Sequence, residues 1–91
     1  MYSYRVSTEF KKCVKRCKKR GLDMQALKTA IDLLVANGFL PETYHPHKLS
    51  GAFAGLWECH IQPDWLLVWD QNDTELTLLM IATGSHSDIF G

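Results

Sequence analysis

The sequence predicts an α+β domain, and three observations carry that reading. An alternating apolar segment opens the chain, two amphipathic helical stretches follow it, and the C-terminal half holds apolar runs of strand length separated by turn residues. The expected architecture is an N-terminal strand, a two-helix hairpin, then an antiparallel meander of three or four strands. All strands join one sheet, with the helices packed on one face of it.

Taken in order, Tyr2, Tyr4 and Val6 alternate with polar residues, as a half-buried strand requires. Ser7 or Thr8 then caps a helix whose first turn holds Glu9, and Phe10, Cys13, Val14 and Cys17 fall on one face before Gly21 ends it. That spacing makes Cys13 and Cys17 core residues. Asp23 caps a second helix with a stripe of Leu27, Ala30, Ile31, Leu34 and Val35, stopped at Asn37-Gly38. Phe39 to Lys48 has two prolines and no period, and reads as a loop into a short strand over Lys48 to Ser50. After a Gly51 to Gly55 turn, strands are expected over Leu56 to Ile61, Leu66 to Trp69 and Leu76 to Ile81. The last two are joined by a hairpin turn at Gln71-Asn72-Asp73.

Ninety-one residues make one domain, residues 1–91, large enough for one modest core without metal or disulfide staples. No apolar run approaches the ~20 residues that cross a bilayer, and the N-terminus lacks a hydrophobic signal core. Three cysteines form an odd count without a CxxC pair, which fits a reducing compartment, so a cytoplasmic location is expected. The net charge of +0 hides an asymmetry, because nine of the ten basic residues lie between Arg5 and Lys28. Lys11, Lys12, Lys15, Arg16, Lys18, Lys19 and Arg20 crowd the first helix off its apolar stripe. Two readings stand: a solvated face, or a surface for a phosphate-rich or acidic partner.

The segment His60-Ile61-Gln62-Pro63-Asp64-Trp65 puts a titratable base, a carboxylate and a large aromatic together where one expected strand ends and the next begins. Strand parity separates Trp57, Cys59 and Ile61, the better core set, from Leu56, Glu58 and His60, which project from the face away from the helices. His47 precedes the neighbouring strand and His86 follows the last, so the three histidines converge if those strand ends lie side by side. His45 is read as loop surface.

The motifs His47-Lys48-Leu49-Ser50-Gly51, Cys59-His60-Ile61-Gln62-Pro63-Asp64-Trp65, Leu67-Val68-Trp69 and Thr83-Gly84-Ser85-His86-Ser87-Asp88-Ile89-Phe90 resemble the YafQ branch of the RelE/ParE toxin superfamily. The resemblance spans essentially the whole chain and includes the basic helix hairpin. It implies a RelE-like fold and the toxin of a type II toxin–antitoxin pair, an endoribonuclease that cuts mRNA in the ribosomal A site without metal or other cofactor. Its expected partners are a cognate antitoxin, mRNA and ribosomal RNA, and no membrane. The family's functional positions fall on His47, His60, Asp64, Trp65, His86 and Phe90. Two positions depart, since the family usually has arginine where Trp57 stands and before the TG pair, where this chain has Ala82.

The chemistry of RNA cleavage asks for the same residue types. RNA carries its own nucleophile, the 2′-OH, so a metal-free nuclease needs a base for that proton, an acid for the 5′-oxygen and a donor to the phosphate. His47, His60, Asp64 and His86 are the candidates for that acid–base set. Trp65 and Phe90 offer faces for stacking an unpaired base, and Lys48 and the basic helix offer phosphate contacts. Each also has a plain structural reading, Asp64 as a turn former, Trp65 as a core anchor and Phe90 as a tucked-in aromatic. Two other functions stay open: a cleavage-weakened RNA- or ribosome-binding module of the same fold, and a metal hydrolase built on His45, His47, His60 and Asp64.

Overall fold

The Ser7 hydroxyl caps the first helix and ties it to the sheet in one step. It accepts from the Phe10 N–H and donates to the Ile81 carbonyl, each at 3.0 Å. In the computed structural model, which describes Met1–Gly91, this helix, α1, spans Thr8–Lys19 and buries Phe10, Cys13 and Cys17. It ends as the Gly21 and Leu22 N–H groups return to the Lys18 and Cys17 carbonyls. Asp23 caps α2, Met24–Asn37, by accepting from the Gln25 N–H at 3.0 Å. Gly38 closes α2 in the left-handed conformation, where a Cβ would stand 2.5 Å from the Tyr2 ring, so only glycine fits.

Five strands make one sheet: β1 Ser3–Val6, β2 His47–Lys48, β3 Trp57–Gln62, β4 Trp65–Asn72 and β5 Thr77–Gly84, in the order β1-β5-β4-β3-β2. The expected four-stranded meander is β2 to β5, all antiparallel. The N-terminal strand joins it parallel to β5, which makes the sheet mixed. Val6 is the last residue of that pairing, and the Ser7 N–H still bonds the Met80 carbonyl before α1 begins. As an edge strand, β1 buries little: of the alternating residues in and beside it, Tyr2 and Val6 pack against the core, whereas Tyr4 does not and is 49 % exposed. The strands β2 to β5 differ from the sequence boundaries by one to three residues at most ends.

Period 2 sorts the rest. Trp57 and Cys59 face the helices together with Leu67, Trp69, Leu78 and Met80, and these pack with Phe10, Cys17, Leu27, Ala30, Ile31 and Leu34 into the main core. Each fully buried side chain of this size contributes roughly 1.5–3 kcal/mol. Burial pushes the Cys59 thiol up to about 12, so it is an inert core group. The opposite face is not bare, because Leu66 and Val68 are also buried. A 3-10 helix, Gly51–Phe53, and a third helix, α3, His86–Phe90, bring Phe53 and Ile89 beside Val68 and Ala82 there. No helix in the chain is long and apolar enough to cross a membrane.

Candidate active site

Residues opposite one another on paired strands share a face. One row on the face away from the main core reads His47, Glu58, Val68, Ala82, and the next reads His60, Leu66, Gly84. Two strand spacings of about 4.8 Å put roughly 10 Å between the His60 and Gly84 backbones. A bulge at Ile61 precedes the Pro63-Asp64 turn, and another at Ile81 lies on β5. Both bend strands beside the candidate site.

The Pro63-Asp64 turn grips two histidines. The Pro63 carbonyl stands 3.3 Å from His60 Nδ1, and because a carbonyl only accepts, this contact places the ring proton on Nδ1. His60 Nε2 then keeps its lone pair. Asp64 Oδ1 accepts from the backbone N–H of His86 at 3.3 Å, which anchors the start of α3 to the turn. The His86 ring is exposed and lies 5.0 Å from the Phe90 ring, and Phe90 meets Phe53 edge-on at 5.0 Å. Sequence reading had singled out Phe90 but not Phe53, which is 38 % exposed at the end of this aromatic row.

Upstream, both ring nitrogens of His47 face acceptors. Nδ1 lies 2.9 Å from the His45 carbonyl and Nε2 lies 3.1 Å from Glu58 Oε1. Glu58 is only 6 % exposed, and a buried carboxylate is retained when a cation or donor answers it. Glu58 was legible as the parity partner of His60, yet its role as the counter-group of His47 appears only once β2 and β3 are paired. His45 is exposed in its loop, as expected, and also sets its ring 5.8 Å from that of His60, nearly perpendicular to it. His45, His47, His60 and Asp64 do not form a metal-holding cluster.

Three expected binding residues fall elsewhere. Trp65 is 2 % exposed, and its indole N–H donates to Thr83 Oγ1 at 2.9 Å within the core. Emptying that site costs roughly 3–5 kcal/mol, more than the ~1–3 kcal/mol a stacked base returns, so Trp65 is a core anchor and not a stacking platform. Lys48 pairs in register with Trp57, on the other face from His47, and its Nζ sits 5.6 Å over the Trp57 ring. Trp57 itself stacks on Trp69, so an arginine at position 57 would not point at the histidines. Arg20 is engaged with Asp88 of α3 through its two terminal guanidinium nitrogens, although its side chain stays 48 % exposed.

That ion pair shapes α3. Ser85 and Asp88 form a reciprocal cap, with the Asp88 N–H on Ser85 Oγ at 3.1 Å and the Ser85 N–H on Asp88 Oδ2 at 2.9 Å. The Arg20 guanidinium, helped by the Ser85 N–H, holds the Asp88 carboxyl well below the usual carboxylate range. Gly84 makes room, since a Cβ there would meet Asp88 Oδ2 at 2.8 Å. The other cations of α1 divide. Lys12, Lys15, Arg16 and Lys19, with Arg20, line a shallow concavity of about 380 Å³. Lys18 borders a different groove with Tyr4, Met24 and Leu27, and Lys11 is exposed outside both.

Residues 2–91 match the family model described as the bacterial toxin of type II toxin-antitoxin system, YafQ. The chain is 37 % identical over 86 residues to the mRNA interferase toxin YafQ of Escherichia coli strain K12, covering 93 % of this chain and 91 % of that protein. It superposes on the crystal structure of YafQ from E. coli BL21(DE3) with a TM-score of 0.92 at 34 % identity, over 100 % of both chains. It also superposes on the toxin of the E. coli DinJ-YafQ complex with a TM-score of 0.89 at 35 % identity, again over 100 % of both chains. With the match running over residues 2–91 and the fold superposing over the whole chain, this chain belongs to the YafQ family of type II toxin–antitoxin toxins.

Proposed function

We propose that the chain is an endoribonuclease that cleaves mRNA on the ribosome, with its active site between the β3–β4 turn and α3. One observation supports this reading above the rest: a single turn holds His60 through the Pro63 carbonyl and the start of His86's helix through Asp64. His60 Nε2 takes the proton of the 2′-OH, and the freed oxygen attacks the adjacent phosphorus. The P–O5′ bond breaks as His86 gives its proton to the leaving oxygen, which yields a 2′,3′-cyclic phosphate and a 5′-hydroxyl. His47, held between Glu58 and the His45 carbonyl in the row beside His60, is the contact to the phosphate. Asp64 orients His86, and Phe90 offers its face to an unpaired base.

Mass action favours a dedicated partner, since an unrestrained ribonuclease of this kind poisons the cell that makes it. The E. coli relative has been solved as the DinJ-YafQ complex, and a cognate antitoxin holding this chain is the matching reading. Expression of the chain alone should arrest growth and leave translated messages cut to cyclic phosphate ends, and co-expression of the adjacent small gene should relieve it. Soluble, folded protein with unimpaired growth and intact messages would refute the nuclease reading. A cleavage-free ribosome complex in the same experiment would favour a binding module, the reading that the missing cation at Ala82 supports.

A further inference from the structure

His45 occupies a conformation that its sequence resists. Its φ of 50° and ψ of 51° lie in the left-handed region, which costs any residue with a Cβ, and the following Pro46 steers its predecessor toward extended backbone instead. Something must hold it there, since strain of this kind persists only where surroundings over-determine it. Three contacts are present: the His45 N–H closes the Glu42–Tyr44 turn on the Glu42 carbonyl at 2.8 Å, and the other two end on histidines of the proposed site. The His45 carbonyl meets His47 Nδ1 at 2.9 Å, and the His45 ring stands edge-on to the His60 ring at 5.8 Å and 81°. His60 has one other polar contact, the long 3.3 Å approach to the Pro63 carbonyl. Without a wall on its far side, the ring is free to rotate about its side-chain torsions and abandon the Nδ1–H tautomer that exposes Nε2.

We infer that His45 is a positioning residue of the active site, its strained backbone aiming a carbonyl at His47 and its ring bracing His60 in the tautomer and orientation of a general base. The inference rests on the proposed nuclease reading. It predicts an unusual pairing of effects, because a glycine at position 45 accepts the left-handed backbone and keeps the carbonyl while deleting only the brace. The strain and the function therefore separate in one substitution.

The test compares wild type, His45→Gly and His45→Phe as purified full chains, with ribosome-bound message as substrate and His86→Ala as the control for the reading itself. His45→Gly should melt no lower than wild type. Its turnover should fall by about ten- to a hundredfold, the scale of a misoriented catalytic group, with KM changed less than about twofold on the same reasoning. His45→Phe keeps an aromatic edge without a titratable group and should recover most of that loss. Nitrogen chemical shifts of the His60 imidazole give a readout independent of activity: a single Nδ1–H form in wild type and His45→Phe, and a tautomer mixture in His45→Gly. Wild-type turnover and an unchanged His60 tautomer in His45→Gly would overturn the inference. So would a lowered melting temperature in His45→Gly with no recovery in His45→Phe, which marks a merely structural residue. If wild type and His86→Ala are equally inactive, the nuclease reading fails, and the His60 tautomers still decide whether His45 braces that ring.

Discussion

Arg20 and Asp88 join the C-terminal end of α1 to α3 by a two-nitrogen ion pair, at 2.5 and 3.2 Å, across 68 positions of sequence. The pair fixes the short helix that carries His86, which has only five residues and cannot hold itself together in water. Replacing Arg20 by glutamine should therefore lower cleavage while leaving the main core intact. The sign of the pH effect follows from the lowered Asp88 carboxyl: its contribution is complete above the ordinary carboxylate value of 3.8 and drains away as pH falls below that toward its native value. Protection factors of the α3 amides, taken relative to intrinsic exchange at each pH, should fall with acid below about pH 4 in wild type, and should be already low at neutral pH in Arg20→Gln. Unchanged α3 protection in that variant would show that the pair positions nothing.

His86 and His60 are assigned opposite proton transfers, and the assignment has a measurable asymmetry. Loss of either acid–base group costs about 10²–10⁴-fold in rate. His86→Ala and His60→Ala should both abolish growth arrest while retaining a wild-type fold and antitoxin binding. A substrate with a better leaving group at the 5′-oxygen needs no acid, so it should rescue His86→Ala and not His60→Ala. Rescue of His60→Ala instead would exchange the two roles. Activity of the wild type should persist in a chelator selective for transition metals with Mg²⁺ kept at the level ribosomes need, and its loss there would return the metal hydrolase to consideration.

What was legible in the sequence was legible where a period or a cap is local. Phe10, Cys13 and Cys17 on α1, Leu27 to Leu34 on α2, and the parity that separates His60 from Cys59 all follow from side-chain spacing alone, and each is where it was expected. Long-range pairings set the rest. Nothing near Tyr4 says that its strand runs parallel to β5 at an open edge, so its exposure was not foreseen. Arg20 reads as one more cation of a basic helix until Asp88 is brought to it. Trp65 meets the description of a stacking residue in composition, and only the Thr83 hydroxyl, 18 positions away, shows that its indole is satisfied inside the core. The Ser85 to Asp88 cap is a readable local signature, whereas the Glu58 to His47 contact required the β2–β3 register.

Ala82 sits in the same cross-strand row as Glu58 and His47, on the site face, whereas Trp57 does not. The two family departures are therefore unequal. An arginine at position 82 would enter the neighbouring cavity, bordered by Glu9 and Asp88, and its guanidinium is expected to extend past them to give the phosphate a bidentate donor. Ala82→Arg should raise the cleavage rate by about tenfold, the effect of roughly 1.4 kcal/mol in the transition state. Trp57→Arg should give no such gain, and should lower stability by breaking the Trp57–Trp69 stack. A slower, equally stable Ala82→Arg enzyme would show that no cation is wanted there.

The basic helix is the remaining proposal, and its cations are not equivalent. Lys12, Lys15 and Lys19 share one concavity with Arg16, and the Arg16 guanidinium is half-buried with Nε lacking any partner and a long 3.5 Å contact to Cys13 Sγ. Arg20 closes the same concavity while clamped to Asp88 of α3. Such a convergence of like charge with no acid among its lining residues is a place for phosphates, and ribosomal RNA supplies them in a row. Each phosphate neutralised releases counterions, so affinity should fall steeply with salt. Replacing Lys12, Lys15 and Lys19 together by glutamine should weaken ribosome binding and flatten the slope of log affinity against log salt by about 2–3 units, close to one per lost contact. Replacing Lys11 and Lys18, which lie outside the concavity, should change that slope by less. Because these lysines touch neither His60 nor His86, the triple variant should keep its cleavage rate at saturating ribosome concentration and lose only in KM. An unchanged salt slope in the triple variant would reduce the stripe to a solvated helix face, and equal slopes for the two sets would show that charge alone, without the concavity, governs binding.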